Sequence, residues 1–378
     1  TASQKALSLQ ANTDHIVVRN CEVRNTLGGG GIFTAGHYSE FINLEIHHNG
    51  QNGRGHGIYI EGDYNLVEGC DIHHNAGFGV HIYNGSSGYD PDYNVVCRNA
   101  VHENGQGSYS HTAGIELSSG VGNIAYSNVV WGEPVGEGFG VGYGATDAKV
   151  YNNTAYGNAR HGIYVRDSAY DTLVGNNIFY GNLRGAVRDL GNDTTFFNNL
   201  YTDPQFVDVS AQDFHLRPTS QAIDAGATLS EVPDDLDGVT RPRGAAYDIG
   251  AYESDYPFRV TDLQVVAAVR HTPSLTVTVR WTAPASAITY SLRSGNTPLT
   301  TANWSHSPTI TVPFTASEPG LTEWLTSPVD YTGGTLYLAL RAQNKLGFWS
   351  ELSNNAFWLP QVAFLPMIMK GDQAPLNR

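Results

Sequence analysis

The feature that most restricts the fold is a short motif, glycine followed by an apolar, a variable and an apolar residue, that returns along the first half of the chain. It stands at Gly31-Ile-Phe-Thr, Gly57-Ile-Tyr-Ile, Gly79-Val-His-Ile, Gly114-Ile-Glu-Leu, Gly138-Phe-Gly-Val, Gly162-Ile-Tyr-Val and Gly185-Ala-Val-Arg. The spacings are 26, 22, 35, 24, 24 and 23 residues, and only the 35 carries an insertion. A second row, Asn20, Leu44, Cys70, Asn99, Asn128, Asn153, Asn177 and Asn199, is spaced 24, 26, 29, 29, 25, 24 and 22. Two independent rulers therefore agree on a unit of ~23 residues, too short to bury its own apolar face, so the units must stack. Stacking at the ~4.8 Å strand separation sets each Asn over its counterpart, where amides bond up and down the column. The expected fold is all-β: a right-handed parallel β-helix over residues 1–200, about seven coils and roughly 30 Å long.

Charge narrows the partners. Acidic residues outnumber basic ones by 36 to 21, and a net charge of −15 argues against a nucleic-acid partner, which needs clustered Lys and Arg. No apolar run approaches the ~20 residues of a membrane span. The three cysteines, Cys21, Cys70 and Cys97, have neither disulfide-framework nor zinc spacing and read as small buried apolar residues. The chain opens directly on strand-like text, so either upstream residues were removed or another element covers the first coil.

After Glu253 the pattern changes to strand-length runs, Leu275-Thr-Val-Thr-Val-Arg-Trp, Ala287-Ile-Thr-Tyr-Ser-Leu-Arg and Leu336-Tyr-Leu-Ala-Leu-Arg-Ala-Gln-Asn, parted by turn residues. Four parts are expected: the solenoid, a closing segment over 201–256 that caps its C-terminal end, a β-sandwich over 257–358, and a tail over 359–378.

The rows over about residues 6–200 resemble the secreted right-handed parallel β-helix proteins that include pectate lyases, alginate lyases and mannuronan epimerases. Asp203-Pro-Gln-Phe-Val-Asp, Ala222-Ile-Asp-Ala-Gly and Asp248-Ile-Gly-Ala-Tyr-Glu look like the closing region of exported bacterial β-helix proteins. Trp281, Tyr337 and Gly347-Phe-Trp-Ser-Glu make the sandwich similar to fibronectin type III domains, and Phe364-Leu-Pro-Met-Ile-Met-Lys resembles C-terminal tails of exported proteins. These resemblances imply a secreted or cell-surface protein, bacterial in origin.

In the repeat, the two apolar residues point inward and the variable one outward. The outward column is Phe33, Tyr59, His81, Glu116, Gly140, Tyr164 and Val187; the next is Ala35, Glu61, Tyr83, Ser118, Gly142, Arg166 and Asp189. His56, Phe78, Glu137, His161 and Arg184 precede the glycines and are expected on the rim. Such an aromatic and ionisable stripe suits an extended glycan, since sugar faces stack on rings and hydroxyls need polar partners. An equally simple reading is a solvated sheet face.

The insertion Tyr83-Asn-Gly-Ser-Ser-Gly-Tyr-Asp-Pro-Asp-Tyr93 is expected to wall the groove, with Tyr89 and Asp90 on substrate. Its Gly88-Tyr-Asp-Pro-Asp is similar to the Gly-aromatic-Asp-Pro-His of mannuronan epimerases, and Asn158-Ala-Arg-His-Gly162 to their Arg-His-Gly, but Asp92 stands where that family has its catalytic His. Uronate lyase or epimerase chemistry needs a base, an acid and a group that neutralises the carboxylate. The candidates are Tyr59, His81, Glu116 and Tyr164 for proton transfer and Arg160 or Arg166 as clamp, with Glu61, Tyr83, Phe78 and His161 binding substrate; no cofactor is required, and calcium is a candidate for the neutralising role. A hydrolase would pair Glu61 with Glu116, two coils and roughly 10 Å apart, at the edge of the useful range. His47-His48 and His73-His74 suggest a metal, but strand alternation would leave one ligand per pair, so they read as turn decoration.

Two functions from different classes remain: a protein that binds, and in the stronger form cleaves or epimerises, an extracellular uronate-type polysaccharide, and a structural protein that stacks end to end into a fibre through its first coil and its tail.

Overall fold

The computed structural model describes residues 5–360 apart from 52–53, 86–88, 108–110, 255–258, 272–273, 285–286, 345–346 and 348; the Phe364 tail motif, Gly88 and Phe348 lie outside the described residues. The chain divides into two units, Thr1–Ser254 and Asp255–Arg378.

The first unit is a three-sided solenoid. Its first sheet has eight strands, Leu7–Leu9, Ile32–Thr34, Ile58–Ile60, Val80–Ile82, Ala113–Leu117, Glu137–Val141, His161–Val165 and Gly185–Asp189. A second eight-stranded sheet runs from Val17–Arg19 to Thr195–Phe197, and a seven-stranded third from Glu22–Arg24 to Ile178–Tyr180. Each strand pairs in parallel with the equivalent strand of the next coil, and parallel crossovers of this kind take the right-handed sense. The inward column of Ile32, Ile58, Ile60, Val80, Ile82, Ile115, Leu117, Phe139, Val141, Ile163 and Val165 is sealed from solvent.

The recurring glycine marks a close pass between coils. A Cβ at Gly57 would sit 2.6 Å from the carbonyl oxygen of Gly79, and one at Gly79 equally close to that of Gly114. No side chain fits there, so the motif is a packing requirement. At the corners, buried Asn columns supply the bonds that irregular backbone lacks. Asn99 Nδ2 donates to Asn128 Oδ1 (2.9 Å), Asn128 to Asn153 (3.0 Å), Asn153 to Asn177 (3.0 Å) and Asn177 to Asn199 (2.9 Å). Two further columns pass through Asn65, Asn94 and Asn123 and through Asn49, Asn75 and Asn104.

Two registers differ from the sequence reading. Cys21, not Asn20, is level with Leu44 and Cys70, because Glu45 N–H bonds to Cys21 O as Asp71 N–H does to Leu44 O. In the last coil Gly185 pairs with His161, so Arg188 rather than Val187 faces outward beside Tyr164, and Arg184 leaves the rim column. The cysteines also divide: Cys70 and Cys97 are buried and free, whereas Cys21 is exposed. Burial pushes the Cys70 thiol up to about 12 and that of Cys97 to about 11, so native protein treated with iodoacetamide near pH 8 should be alkylated at Cys21 alone. Mass spectrometry finding Cys70 or Cys97 modified at a comparable rate would contradict this packing.

The segment after residue 200 does not lie over the end of the stack, where it was expected, but along its flank. Phe206, Phe214 and Leu216 pack with Trp131, Tyr156 and Tyr180 on the outer face of the third sheet, while Val232 and Tyr247 pack with Ile124 and Tyr151 on the second. Asn152 and Asn176 reach out to the carbonyls of Asp248 and Ala227. The fully buried Arg241 organises the segment, donating to Glu253 Oε1 (2.6 Å) and to the carbonyls of Asp248 and Gly250. The apolar outward residues of these coils are thus explained: they meet the returning chain.

The second unit has two antiparallel sheets. Three strands, Gln264–His271, Ser274–Thr282 and Thr322–Asp330, form one; Thr309–Ile310, Thr289–Gly295, Leu336–Gln343 and Ala356–Trp358 form the other. The alternation in Ser274–Thr282 buries Leu275, Val277, Val279 and Trp281, and Trp281 packs edge-on to Tyr290 and face-on to Phe314.

Candidate functional site

The outward column of the first sheet is in register as coils demand: Phe33, Tyr59, His81, Glu116, Gly140 and Tyr164 are successive lateral neighbours. Side-chain contacts divide this face into two parts.

The first part is a groove of about 810 Å³ lined by Lys5, Phe33, Arg54, His56, Tyr59, Glu61, Phe78, His81, Tyr83, Gly85, His111 and Tyr143. Its floor is a run of rings: Phe33 lies 5.7 Å from Tyr59, Tyr59 5.2 Å from His81, and His81 is held between Phe78 at 4.4 Å and Tyr83 at 5.4 Å. His56 adds an edge contact to His81 at 5.0 Å. The Lys5 ammonium sits 3.1 Å above the Phe33 ring, a cation–π contact at one end. Of the nominated substrate residues, Glu61, Tyr83 and Phe78 are here; Tyr89 and Asp90 are on the exposed insertion, where Asn84 Nδ2 donates to Asp90 Oδ1 at 2.9 Å. Among the described residues of that insertion, Tyr83 and Gly85 line the groove.

Electrostatics assign protonation states. Burial, assisted by Lys5 and Arg54, pushes His56 down to about 3, and burial with His56 and Arg166 holds His81 well below its ordinary value, so both rings are neutral at pH 7. His81 Nε2 meets Ser118 Oγ at 3.0 Å, while its Nδ1 is buried with no hydrogen-bond partner. Burial and then Glu61 push the Tyr59 phenol up, so Tyr59 keeps its proton and suits a donor, not a base.

The second part is a chain of ion pairs. Arg166 grips Glu116 through Nη2–Oε2 (3.2 Å) and Nε–Oε1 (3.4 Å), with Glu116 at 0% exposure. The pair spans two coils because the coil between them has glycine at both outward positions; a Cβ at Gly140 would collide with Glu116 Oε2, and one at Gly142 would meet the Arg166 stem. Tyr164 is sandwiched by guanidinium groups, Arg166 at 4.6 Å and Arg188 at 4.7 Å from its ring. Arg160 lies 3.5 Å from the buried Glu137 and donates from Nε to Val135 O; His161 is half-buried 6.4 Å from Tyr164. Glu137, expected on the rim, is buried, and burial with Glu116 raises its carboxyl pKa. Glu116 therefore spends both oxygens on Arg166, which takes it out of a Glu61–Glu116 hydrolytic pair.

Sequence reading missed Lys5, Arg54, His111 and Tyr143. Tyr143 had a signal, since it follows the outward Gly142 in the motif register; Lys5 precedes the first recognisable coil and gave none.

Residues 3–154 match a right-handed β-helix region. A second family model, the periplasmic copper-binding protein NosD, matches residues 108–214. No curated protein matches. Among solved structures, the periplasmic alginate epimerase AlgG aligns with a TM-score of 0.45 at 18% identity over 53% of this chain and 48% of its own, so this chain spans about half the epimerase's length. Pectate lyase Pel9A aligns with a TM-score of 0.44 at 18% identity, over 64% of this chain and 74% of that one.

Proposed function

We propose that the groove on the first sheet binds an extended acidic polysaccharide of uronate type, outside the cytoplasm. The observation that carries this reading is the unbroken floor of rings from Phe33 to Tyr83 with the Lys5 ammonium and Arg54 at its margin. Rings accept the flat faces of successive sugars, and the cations meet the carboxylates. In the stronger form, C5-proton removal from a bound uronate falls to the neutral His81 ring, with Tyr59 as the donor. The periplasmic family matched over 108–214 supports a location outside the cytoplasm. For the second unit, the three-plus-four division of antiparallel strands around Trp281 supports a fibronectin type III-like reading.

Binding to polygalacturonate, alginate and neutral glucans tests the groove directly. Polyuronate retention should fall at least tenfold in Tyr59→Ala and in Phe78→Ala while thermal unfolding stays cooperative, and His81→Gln should remove any unsaturated-product absorbance but spare binding. Equal affinity in wild type and Tyr59→Ala, or no retention of any glycan, would sink the proposal.

A further inference from the structure

The outward face of the first sheet does not end with the groove. On its last two coils Arg160, Arg166, Arg184 and Arg188 gather around Tyr164 and His161. Backbone register sets them side by side: Arg188 pairs with Tyr164, and Arg184 N–H donates to Arg160 O at 2.9 Å. In a chain of net charge −15 this is a local excess of positive charge.

That charge is not spent equally. Arg166 is bound to the buried Glu116, and Arg160 lies 3.5 Å from the buried Glu137. Arg184 and Arg188 are exposed and enter no ion pair among the described residues. Arg188 is nonetheless held in place. Arg166, drawn back towards Glu116, covers the Tyr164 ring at 4.6 Å, and Arg188 approaches the same ring from the following coil at 4.7 Å. Glu116 thus fixes Arg166, Arg166 stacks on Tyr164, and Tyr164 carries Arg188, which presents a pre-organised guanidinium to solvent. Such a fork matches the paired oxygens of a carboxylate or a sulfate ester. The neighbouring imidazoles register the same field. Burial, then the charges of Arg188, Arg184 and Arg160, lower the pKa of His161, and burial with all four arginines lowers that of His111. His111 also lines the groove, as does Tyr143, whose ring is 5.1 Å from the Arg166 guanidinium, so groove and arginines adjoin.

We infer that Arg184 and Arg188 form a second anion subsite, which takes a carboxylate of the same acidic polysaccharide several sugars beyond the groove. The inference rests on the reading of the groove given above. From Tyr59 to Arg188 the column passes through His81, Glu116, Gly140 and Tyr164, five strand steps that at ~4.8 Å each amount to ~24 Å. A trisaccharide seated in the groove stops short of the arginines. A longer chain reaches both, and the second contact is then made at the high effective concentration of a tethered group. Arg166 and Arg160, spent on buried carboxylates, support this subsite without touching the ligand.

The test measures binding of trigalacturonate, octagalacturonate and dextran sulfate to the full chain, as wild type, as Arg184→Gln/Arg188→Gln and as Tyr59→Ala. Wild type should bind the octamer at least tenfold more tightly than the trimer. In the arginine variant that gap should close to within about twofold, with trimer affinity and the melting curve unchanged, since both side chains are exposed and unpaired. Equal affinity of wild type for trimer and octamer, or an octamer gap that survives the arginine replacement, overturns the second subsite and leaves the groove standing. Loss of octamer binding in the arginine variant with none in Tyr59→Ala keeps the arginines as an anion site and sinks the groove instead. Dextran sulfate bound more tightly than the octamer, and through the same arginines, overturns the carboxylate in favour of a sulfate ester. Should the variant fail to fold, the wild-type ratio of octamer to trimer affinity decides.

Discussion

Replacing Arg166 by alanine should lower unfolding free energy by about 3–5 kcal/mol, the range for removing one partner of a buried pair. The cause is what remains behind: Glu116 at 0% exposure, its Oε1 within 3.4 Å of Ser118 Oγ but its charge no longer paired with the guanidinium. The intervening glycines make the loss worse, because Gly140 and Gly142 have no side chains of their own to close over the carboxylate once the guanidinium is gone. Removing both charges together, as Glu116→Leu with Arg166→Met, should bring the unfolding free energy measured in urea back to within about 1 kcal/mol of wild type, since an apolar pair of similar volume avoids desolvation altogether. A single-variant loss under about 1 kcal/mol would class the pair with screened surface bridges. The same proteins separate structure from recognition. If Arg166 only organises this face, the double variant binds polyuronate as wild type does; a tenfold drop with stability intact would return Arg166 to the clamp role that its sequence position first suggested.

How far the site could be read in advance depended on which residues the coil itself constrains. The glycine motif located the strands of the first sheet because inter-coil contact excludes a side chain there, a constraint shared by the six coils from Gly31 to Gly162. The Asn row was legible for the same reason. Two sister columns, through Asn65 and through Asn49, went unread although their spacings repeat equally well. What escaped was conformation and length. The last coil is one residue out of phase, so Gly185 matched the motif while lying level with His161. The imidazole pairs were judged by strand alternation, whereas the second member of each is a left-handed turn residue; Asn25 and Gly132 at the same level were the available clue. Ion pairing was invisible too. Tyr59, His81 and Glu116 share a column, yet Glu116 is claimed by Arg166 from two coils away, and only coordinates reveal that a glycine coil opens the path.

Glu133 leads to the second large effect, this time a gain. It occupies a place in the third Asn column, between Asn104 and Asn158: Asn104 Nδ2 donates to Glu133 Oε1 at 3.1 Å and Glu133 N–H to Asn158 Oδ1 at 3.1 Å, while Oε2 is buried without a hydrogen-bond partner. Burial pushes this carboxyl from 4.5 up to about 7. Because the folded value is the higher one, the folded chain holds a proton that the unfolded chain releases between pH 4.5 and about 7. Stability from this group is therefore complete below that window and lost as pH rises through it, by on the order of 3 kcal/mol. Glu133→Asn removes the charge and restores the column, since Asn75, Asn104 and Asn158 each donate both to the next member and to a carbonyl one coil earlier. Asp248 and Asp235, raised to about 7 and about 6, titrate with the same sign and also weaken the wild type on the alkaline side, so the informative quantity is the difference between the two proteins. That difference should be near zero at pH 4.5, grow through neutrality, and level off above pH 8 with the variant roughly 3 kcal/mol more stable in urea. A constant offset at every pH would mean that the gain comes from hydrogen bonds alone and that Glu133 does not bury a charge.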